Sequence, residues 1–414
     1  MTAIVGVLNK HAVAIAADSA VTMGNTHKVV NSANKIFTLS KYRPVAVMVY
    51  SQADFMGTPW DIVIKEYRKQ LGDRCFPHLE DYLTDFVSFL HNRHFFCDDQ
   101  TQHEWLVRIL DLFYNVCFAN VSRQRGISTE HISTKLLEAE FARCVKEIKK
   151  VEKSVEFVDW SLEEFNKCAS LDIEAYAKDR GFENHTLLAE AFYYYLSAKF
   201  SMPFYSGLVF VGYGEDEIYP SLYPMRILFG IDNHLKYVVE DDEIVKISEH
   251  GPEAVIAPFA QIDVIQTIVG GINPSFQDII YRVIDKFVQS LPEYIADSLG
   301  SHPSMSEESN VARNLNFEGV AKDITLQIQN EMRNTYTISL LNTVASLDKE
   351  DMANMAESFI SLTSLVRRMQ PSEETVGGPV DVAVISKGDG FVWINRKHYF
   401  KPELNAPFFS NYFK

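Results

Sequence analysis

The order of strand-like and helix-like segments limits the fold of this chain more than any other feature. Two apolar runs, residues 3–8 and 12–17, flank the polar turn 9–11 and predict a β-hairpin. Two further strands are predicted at residues 35–39 and 45–50. The chain therefore opens with β-structure, and the second run ends in small side chains that let another layer approach closely.

The middle of the chain has helical periodicity. A pattern like a capping box at Ser51–Asp54, with Asp in place of the usual Glu, predicts a helix that ends near Leu71. Amphipathic spacing continues through residues 79–90, and residues 96–200 have almost no strand signal. We interpret residues 96–200 as an inserted helical subdomain.

The second half of the chain returns to alternating strands and helices. The predicted elements are strands at 207–212 and 221–229, helices from Phe259 onward and over 348–370, and a closing hairpin over 380–394. Residues 297–316 are rich in Ser and Asn and predict an exposed linker. This order suggests an α+β fold in which two sheets have helices outside, a four-layer αββα sandwich. Residues 1–95 and 201–414 would form that core.

Composition and charge exclude several classes of protein. The chain has 39 Lys and Arg against 55 Asp and Glu, a formal charge of −16, which argues against nucleic-acid binding and attraction to anionic membranes. Its five cysteines are odd in number and form no CxxC pair, which favours a reducing compartment. No apolar run approaches the roughly 18 residues of a membrane span, and the N-terminal pattern does not indicate a signal peptide. We expect a soluble cytoplasmic protein.

Two other patterns carry less weight. His91, His94, Cys97 and His103 offer imidazole and thiol groups that could hold zinc. Spacings of three place the first three of these residues along one stripe of a helix, where they do not complete the tetrahedral coordination of zinc. We therefore favour an ordinary helix face. The segment Gly212–Gly214 lacks the third glycine and the following helix of a dinucleotide loop. We therefore expect neither a metal nor a cofactor.

The residue after Met1 is a threonine whose chemistry depends on processing. A small residue at this position generally allows Met1 to be trimmed, and the mature chain would then begin with a free threonine. An α-amine has a pKa of about 7.7–8.0, so much of it can be neutral and accept the hydroxyl proton. Thr2 alone would then supply nucleophile and base. Taken by itself, a Met-Thr start has no catalytic meaning in most proteins.

The residues that follow change the weight of that pattern. The segments Thr2–Val7, Val13–Ser19 and Gly24–Thr26, with Lys35, resemble the start of proteasome β-subunits. They are closer still to the peptidase subunit of the bacterial ATP-dependent protease that works with a ring unfoldase. In that family an N-terminal threonine is followed by an Asp ending the second strand and a Lys opening the third. The matching positions here are Thr2, Asp18 and Lys35.

The resemblance implies a role for each of these residues. Lys35 would lie near Thr2 Oγ, and its charge would lower the pKa values of the hydroxyl and the amine. Asp18 would pair with Lys35 and hold it in place. In the family a Gly-Gly pair after the fourth strand supplies the oxyanion donors, and here that place reads Tyr50-Ser51.

The resemblance continues in weaker form downstream. Residues 206–223 look like a later strand hairpin, and residues 374–381 resemble the family's Ser-Gly-Gly turn before the last strands. The auxiliary residues that it implies are Ser19, Glu373 and its near alternative Glu374. The family also has a serine near the start of the third helix, where this chain reads Ala257–Ala260 without a hydroxyl.

The resemblance implies an amide hydrolase that acts on peptides or, as an open alternative, on a small amide. It also implies a homo-oligomer that an ATP-dependent unfoldase could serve. The rival hypothesis is a non-catalytic assembly or regulatory subunit. The altered turn at Tyr50-Ser51 and the missing serine favour the rival, whereas Thr2, Asp18 and Lys35 oppose it.

Overall fold

The computed structural model describes residues 2–23, 28–126, 128, 131–200, 202–300, 306–370 and 376–407. It is a mixed α/β structure with antiparallel sheets and many helices. Two compact units make up the chain. Unit 1 comprises Met1–Ala33, Ile247–Val384 and Trp393–Lys414, and unit 2 comprises Asn34–Lys246 and Ile385–Val392. In the described ranges, no helix combines the length and the apolar character needed to cross a membrane.

The elements are numbered in chain order. The strands are β1 Ala3–Asn9, β2 Val13–Ala17, β3 Val21–Met23, β4 Lys28–Val30, β5 Ile36–Thr38, β6 Val45–Ser51, β7 Asp54–Phe55, β8 Thr58–Pro59, β9 Ser206–Gly212, β10 Ser221–Ile231, β11 His234–Val239, β12 Val245–Lys246, β13 Ala254–Ala260, β14 Asp381–Ser386 and β15 Gly390–Asn395. The helices are α1 Trp60–Leu71, α2 Leu79–Asn92, α3 Asp99–Arg125, α4 Thr134–Ile148, α5 Leu162–Asp179, α6 Thr186–Ser197, α7 Asp263–Gly270, α8 Pro274–Gly300, α9 Ser306–Arg313, α10 Glu318–Met332, α11 Ser339–Ser346 and α12 Lys349–Met369.

Unit 1 is built on a five-stranded sheet with the order β13-β1-β2-β14-β15. β1 and β2 form the antiparallel hairpin that the sequence predicts, with Ile4 opposite Ala17, and every residue of both strands is buried. On its other side β1 pairs with β13, from Ala3 opposite Ala260 to the far end of both strands. The start of β1 therefore lies between two strands, where solvent has little access.

Two helices of unit 1, α11 and α12, cover one face of this sheet. α12 packs against β1 and β2, and α11 packs against β1 and β13. Ala14 and Ala16 of β2 share a buried cluster with Ala353 and Ala356 of α12. Because these side chains are small, the helix can approach the strand closely, which confirms the expectation from the sequence.

Unit 1 differs from the sequence prediction after residue 250. β13 occupies Ala257–Ala260, which the resemblance placed at the start of a helix, and α7 begins only at Asp263. Pro258 made this segment a poor candidate for a strand, but β13 is at the sheet edge, where a missing N–H is tolerated.

The predicted linker over 297–316 is also different in the structure. It contains the end of α8 and the whole of α9, whose residues Ser306–Arg313 are helical. Ser309 Oγ donates a 2.7 Å hydrogen bond to the Ala296 carbonyl, so α9 is held by packing against α8. This tertiary contact outweighs a local composition that is typical of a loop.

Unit 2 is built on a second sheet with the order β11-β10-β9-β6-β5, and β12 pairs with β10. The predicted helix after residue 50 begins later than expected, at Trp60. β6 continues to Ser51, which pairs with Ser206 of β9, and the short strands β7 and β8 form a ribbon before the helix. Strand pairing therefore overrides the pattern that looked like a capping box.

The helical block predicted between residues 96 and 200 contains α3, α4, α5 and α6. Their aromatic side chains share one buried cluster with residues of sheet strands β9 and β10, and α3 packs against β10. The helical content of this block is confirmed. Its independence as a subdomain, and the four-layer stacking of sheets and helices, stay predictions.

Candidate active site

Thr2 lies immediately before β1 and is only 5% exposed. Its carbonyl accepts a 3.3 Å hydrogen bond from the Gln261 amide, just past the end of β13. The Gln261 side-chain oxygen accepts a hydrogen bond from Arg367 Nε of α12, and Arg367 also pairs with Asp263. The backbone at Thr2 is thus tied to a polar network that the sequence did not reveal. Only the pairing of β1 with β13 brings these residues to Thr2.

Asp18 follows β2 directly and is buried. Its carboxylate accepts hydrogen bonds from three backbone amides, those of Ala3 at 2.8 Å, Ala20 at 3.0 Å and Gly377 at 3.2 Å. The Asp18 amide also donates to the Ala3 carbonyl at 3.1 Å. Because β1 and β2 are antiparallel neighbours, the residue after β2 necessarily lies beside the start of β1. Asp18 therefore fixes the peptide unit that follows Thr2.

Ser19 connects the end of β2 to the turn before β14. Its amide donates to the Gly377 carbonyl at 3.1 Å, and its Oγ donates to the Pro379 carbonyl. Gly378 has a φ of +76°, and a Cβ there would lie 2.9 Å from Asn31 Cβ, so the turn requires a glycine. The glycine turn suggested by the resemblance therefore lies against Asp18 and Ser19. Glu373 and Glu374, the other predicted auxiliary residues, lie outside the described residues, as does the Gly24–Thr26 segment.

Lys35, Tyr50 and Ser51 belong to unit 2 and lie at one end of its sheet. Lys35 immediately precedes β5 and is buried, and its carbonyl accepts a 2.8 Å hydrogen bond from the Val49 amide. Tyr50 and Ser51 end β6 and pair with β9. Since β5 and β6 are antiparallel, the start of one lies beside the end of the other. The sheet thus brings Lys35, the proposed cation, and Tyr50-Ser51, the proposed oxyanion turn, to the same end of its strands.

The turn at Tyr50-Ser51 has an unusual backbone. Ser51 has a φ of +70°, the left-handed region that glycine adopts without strain. The Tyr50 ring covers Gly207 so closely that a Cβ on that glycine would lie 2.1 Å from it. Burial raises the pKa of the Tyr50 phenol above its usual range, so the ring is neutral at physiological pH. The conformation of the turn suits glycine, although the residue types differ from the Gly-Gly pair of the family.

A cleft of about 240 Å³ opens beside this turn, within unit 2. Its walls combine aromatic, apolar and charged side chains, and Arg108 stacks over the Trp105 ring at 4.8 Å. The lining residues are Gln52, Asp54, Met56, Trp105, Arg108, Leu112, Phe204, Tyr205, Ser206 and Leu228. A cleft of this size holds one side chain of a peptide or a small ligand.

The histidines and cysteine singled out in the sequence do not converge. His91 Nε2 lies 2.8 Å from Glu156, and His103 Nδ1 lies 2.7 Å from Asp172. Cys97 Sγ lies 3.8 Å from the His94 carbonyl. Each of the first two imidazoles thus has a carboxylate partner from a different part of the chain.

Comparisons with known proteins add little to this geometry. No protein-family model matches the chain, and no curated protein matches it. Among solved structures, the Anbu (Gly-1) mutant from Hyphomicrobium sp. strain MC1 aligns with 100% of this chain and 94% of its own. The identity is 9% and the TM-score is 0.28. A likeness of this degree establishes neither fold nor function.

Proposed function

We propose that the protein is a threonine-nucleophile amide hydrolase. The observation that carries the proposal is the position of Thr2, buried at the start of β1 beside a carboxylate that fixes the next peptide unit. Once the bond before Thr2 is cleaved, one rigidly held residue presents an amine and a hydroxyl together. That pair is sufficient for nucleophile and base.

In this proposal the reaction has two halves. Thr2 Oγ attacks the substrate carbonyl carbon while the Thr2 amine accepts the hydroxyl proton, and that proton then goes to the departing nitrogen as the C–N bond breaks. Water hydrolyses the resulting ester and returns the proton to Oγ. On the basis of the sequence resemblance, we assign Lys35 to lowering the pKa of the nucleophile, Asp18 to orienting Lys35, and the backbone at Tyr50-Ser51 to binding the oxyanion.

The substrates that we propose are peptides, with small amides as the alternative. We also propose a homo-oligomer that can be supplied by an ATP-dependent unfoldase, on the basis of the sequence resemblance.

The test is a covalent probe that reacts with an N-terminal threonine, such as an epoxyketone, followed by mass mapping of the modified peptide. We expect labelling at Thr2, loss of labelling in Thr2→Ala, and retained labelling in Thr2→Ser, which keeps the hydroxyl and the amine. Lys35→Met should slow labelling, while Lys65→Met, an exposed lysine paired with Asp61, should not. Labelling elsewhere, or none when Thr2 is already the first residue, would contradict the proposal.

The second candidate function is a non-catalytic assembly or regulatory subunit. One observation favours it: the Asp18 carboxylate accepts three backbone hydrogen bonds, which is sufficient reason to keep an aspartate there in a protein without activity. An intact mass that retains Met1 would support this candidate, because the blocked amine could not serve as a base.

A further inference from the structure

Two cysteines from neighbouring helices meet in the interior of unit 2, far along the chain from Thr2, Asp18 and Lys35. Cys117 of α3 and Cys144 of α4 are both buried, and their Sγ atoms are 3.8 Å apart. Glu140 lies one helical turn before Cys144, and its Oε1 is 4.0 Å from Cys144 Sγ. In the part of the chain that the structure describes, these are the ligand-type side chains that come close enough to share one ion, all within 4.8 Å.

Glu140 is what distinguishes this cluster from an ordinary pair of core cysteines. It is 4% exposed, and the next residue of its helix, Phe141, belongs to the buried apolar cluster of unit 2. Arg143 donates to both of its oxygens, at 2.7 Å and 2.5 Å, and Asn120 Nδ2 donates to Oε1 at 3.2 Å. A carboxylate buried in an apolar core is unfavourable unless it is paired, and these donors hold this one beside the thiols.

The separation of the two sulfur atoms distinguishes metal binding from disulfide formation. Two thiolates on a tetrahedral zinc ion, with Zn–S bonds of about 2.3 Å, have their sulfur atoms about 3.8 Å apart. A disulfide needs an S–S distance of about 2.05 Å. The observed 3.8 Å thus matches the metal geometry and would require the packed side chains to move substantially before a disulfide could form.

We propose that Cys117, Cys144 and Glu140 bind a thiophilic divalent cation of the zinc type and so link α3 to α4. On binding, two S–H bonds break, two metal–sulfur bonds form, and both protons leave to solvent. Two thiolates, one carboxylate and a dication carry a net charge of −1, which the guanidinium of Arg143 balances. Arg143 and Asn120 orient the carboxylate from the outer shell, and the fourth tetrahedral position is left for water.

The experiment uses the full-length chain with Cys75, Cys97 and Cys168 changed to serine, so that only the proposed pair remains. None of these three is fully buried, and none belongs to the cluster. The reduced, metal-free protein is titrated with Co²⁺, both folded and during refolding, and thiolate-to-cobalt charge-transfer absorption is recorded. Zn²⁺ affinity then follows from competition with a chromogenic chelator. We expect one equivalent of metal, tetrahedral cobalt bands and a higher unfolding temperature with Zn²⁺.

Variants of the cluster sharpen the test. Cys117→Ser or Cys144→Ser should weaken Zn²⁺ binding by more than about a hundredfold, and Glu140→Gln by about ten- to a hundredfold. Glu147→Gln is the matched control, because Glu147 also pairs with Arg143 but is exposed and outside the cluster, and it should bind normally. Circular dichroism shows which variants fold. If the serine variants unfold, the proposal is tested by Glu140→Gln and by the cobalt spectrum of the protein that keeps Cys117 and Cys144.

Three outcomes would overturn the proposal. The first is no metal uptake by protein whose two thiols are shown to be free. The second is uptake that is unchanged when either cysteine is replaced. The third is a native protein lighter by two hydrogen atoms with a peptide that cross-links Cys117 to Cys144, which would make the pair a disulfide.

Discussion

Two buried charged residues of this molecule have backbone atoms among their hydrogen-bond partners. Asp18 accepts hydrogen bonds from three amides, as described above. Lys236 of β11 is fully buried, and its Nζ donates to Ser154 Oγ at 2.7 Å and to the Ala198 carbonyl. Because burial penalises the ammonium form, the pKa of Lys236 falls to about 7.

The low pKa of Lys236 predicts a specific dependence of stability on pH. In the unfolded chain this lysine has a pKa near 10.4, so between about pH 7 and pH 10 the unfolded state binds more protons than the folded state. The free energy of unfolding should therefore rise with pH across this window, by at most about 1.4 kcal/mol per pH unit from this residue, and be flat below it. Urea unfolding of wild type and Lys236→Met at several pH values measures this rise in the free energy of unfolding. The contribution of Lys236 to the rise should be absent from the variant. The prediction fails if Lys236→Met keeps the wild-type slope; Lys65→Met is the exposed control and should keep it.

The positive φ at Ser51 predicts how substitutions there rank in stability. Residues with a Cβ are strained in the left-handed region, and β-branched residues most of all. Ser51→Gly should be as stable as wild type or more so, and Ser51→Val should be less stable than Ser51→Gly by about 1–2 kcal/mol. Urea denaturation of both variants gives the difference. Gln52, which lacks a positive φ, is the control position. The stability difference between Gln52→Gly and Gln52→Val should be smaller than that between the two Ser51 variants. Equal differences at both positions would mean that backbone strain is not the cause.

At the scale of elements, the sequence predicted strands best where turn residues bound them. The β1–β2 hairpin was predicted because two apolar runs flank a polar turn, and α12 because its apolar positions have helical spacing. β13 was missed because Pro258 argues against a strand and only its pairing with β1 shows otherwise. Helix α9 was missed because its stability depends on packing against α8.

The candidate site shows the same contrast between residues that local sequence patterns identify and residues that only tertiary contacts bring together. Thr2, Asp18 and Lys35 were predicted because their positions next to predicted strands match those of the family that the start of the chain resembles. Gln261 and Arg367 could not be found, because they reach Thr2 only through β13 and α12. Local patterns identify residues near in sequence, whereas contacts made across a sheet depend on strand order.

Close packing between strands predicts that Gly207 cannot be enlarged. An added Cβ would lie 2.1 Å from the Tyr50 ring, which is itself buried next to the turn at Ser51. Gly207→Ala should destabilise the protein by about 1–3 kcal/mol, the usual range for overpacking. Gly388→Ala is the control, because its Cβ would meet nothing within 4 Å, and its effect should be much smaller. Equal urea midpoints for the two variants would show that the Tyr50 ring can move away freely.

At the scale of the whole molecule, charge sets the conditions under which copies can meet. Each chain carries a formal charge of −16 at pH 7, so two copies repel one another over a distance set by the ionic strength. Any homo-oligomer of this protein must overcome that repulsion through short-range contacts. Its formation should therefore respond to salt in the direction opposite to that of an assembly held by ion pairs.

Multi-angle light scattering tests this expectation at pH 7.5. Between about 0.01 M and about 0.15 M salt the Debye length falls from about 30 Å to about 8 Å, which screens the repulsion between chains. We expect the average mass to be a multiple of 47.2 kDa at the higher salt and to shift toward the single chain as salt is removed. Sucrose at matched osmolality is the control and should leave the mass unchanged, since it screens no charge. A mass of one chain under every condition would contradict the proposed homo-oligomer. An assembly that dissociates as salt is added would show that ion pairs, rather than short-range contacts, hold the copies together.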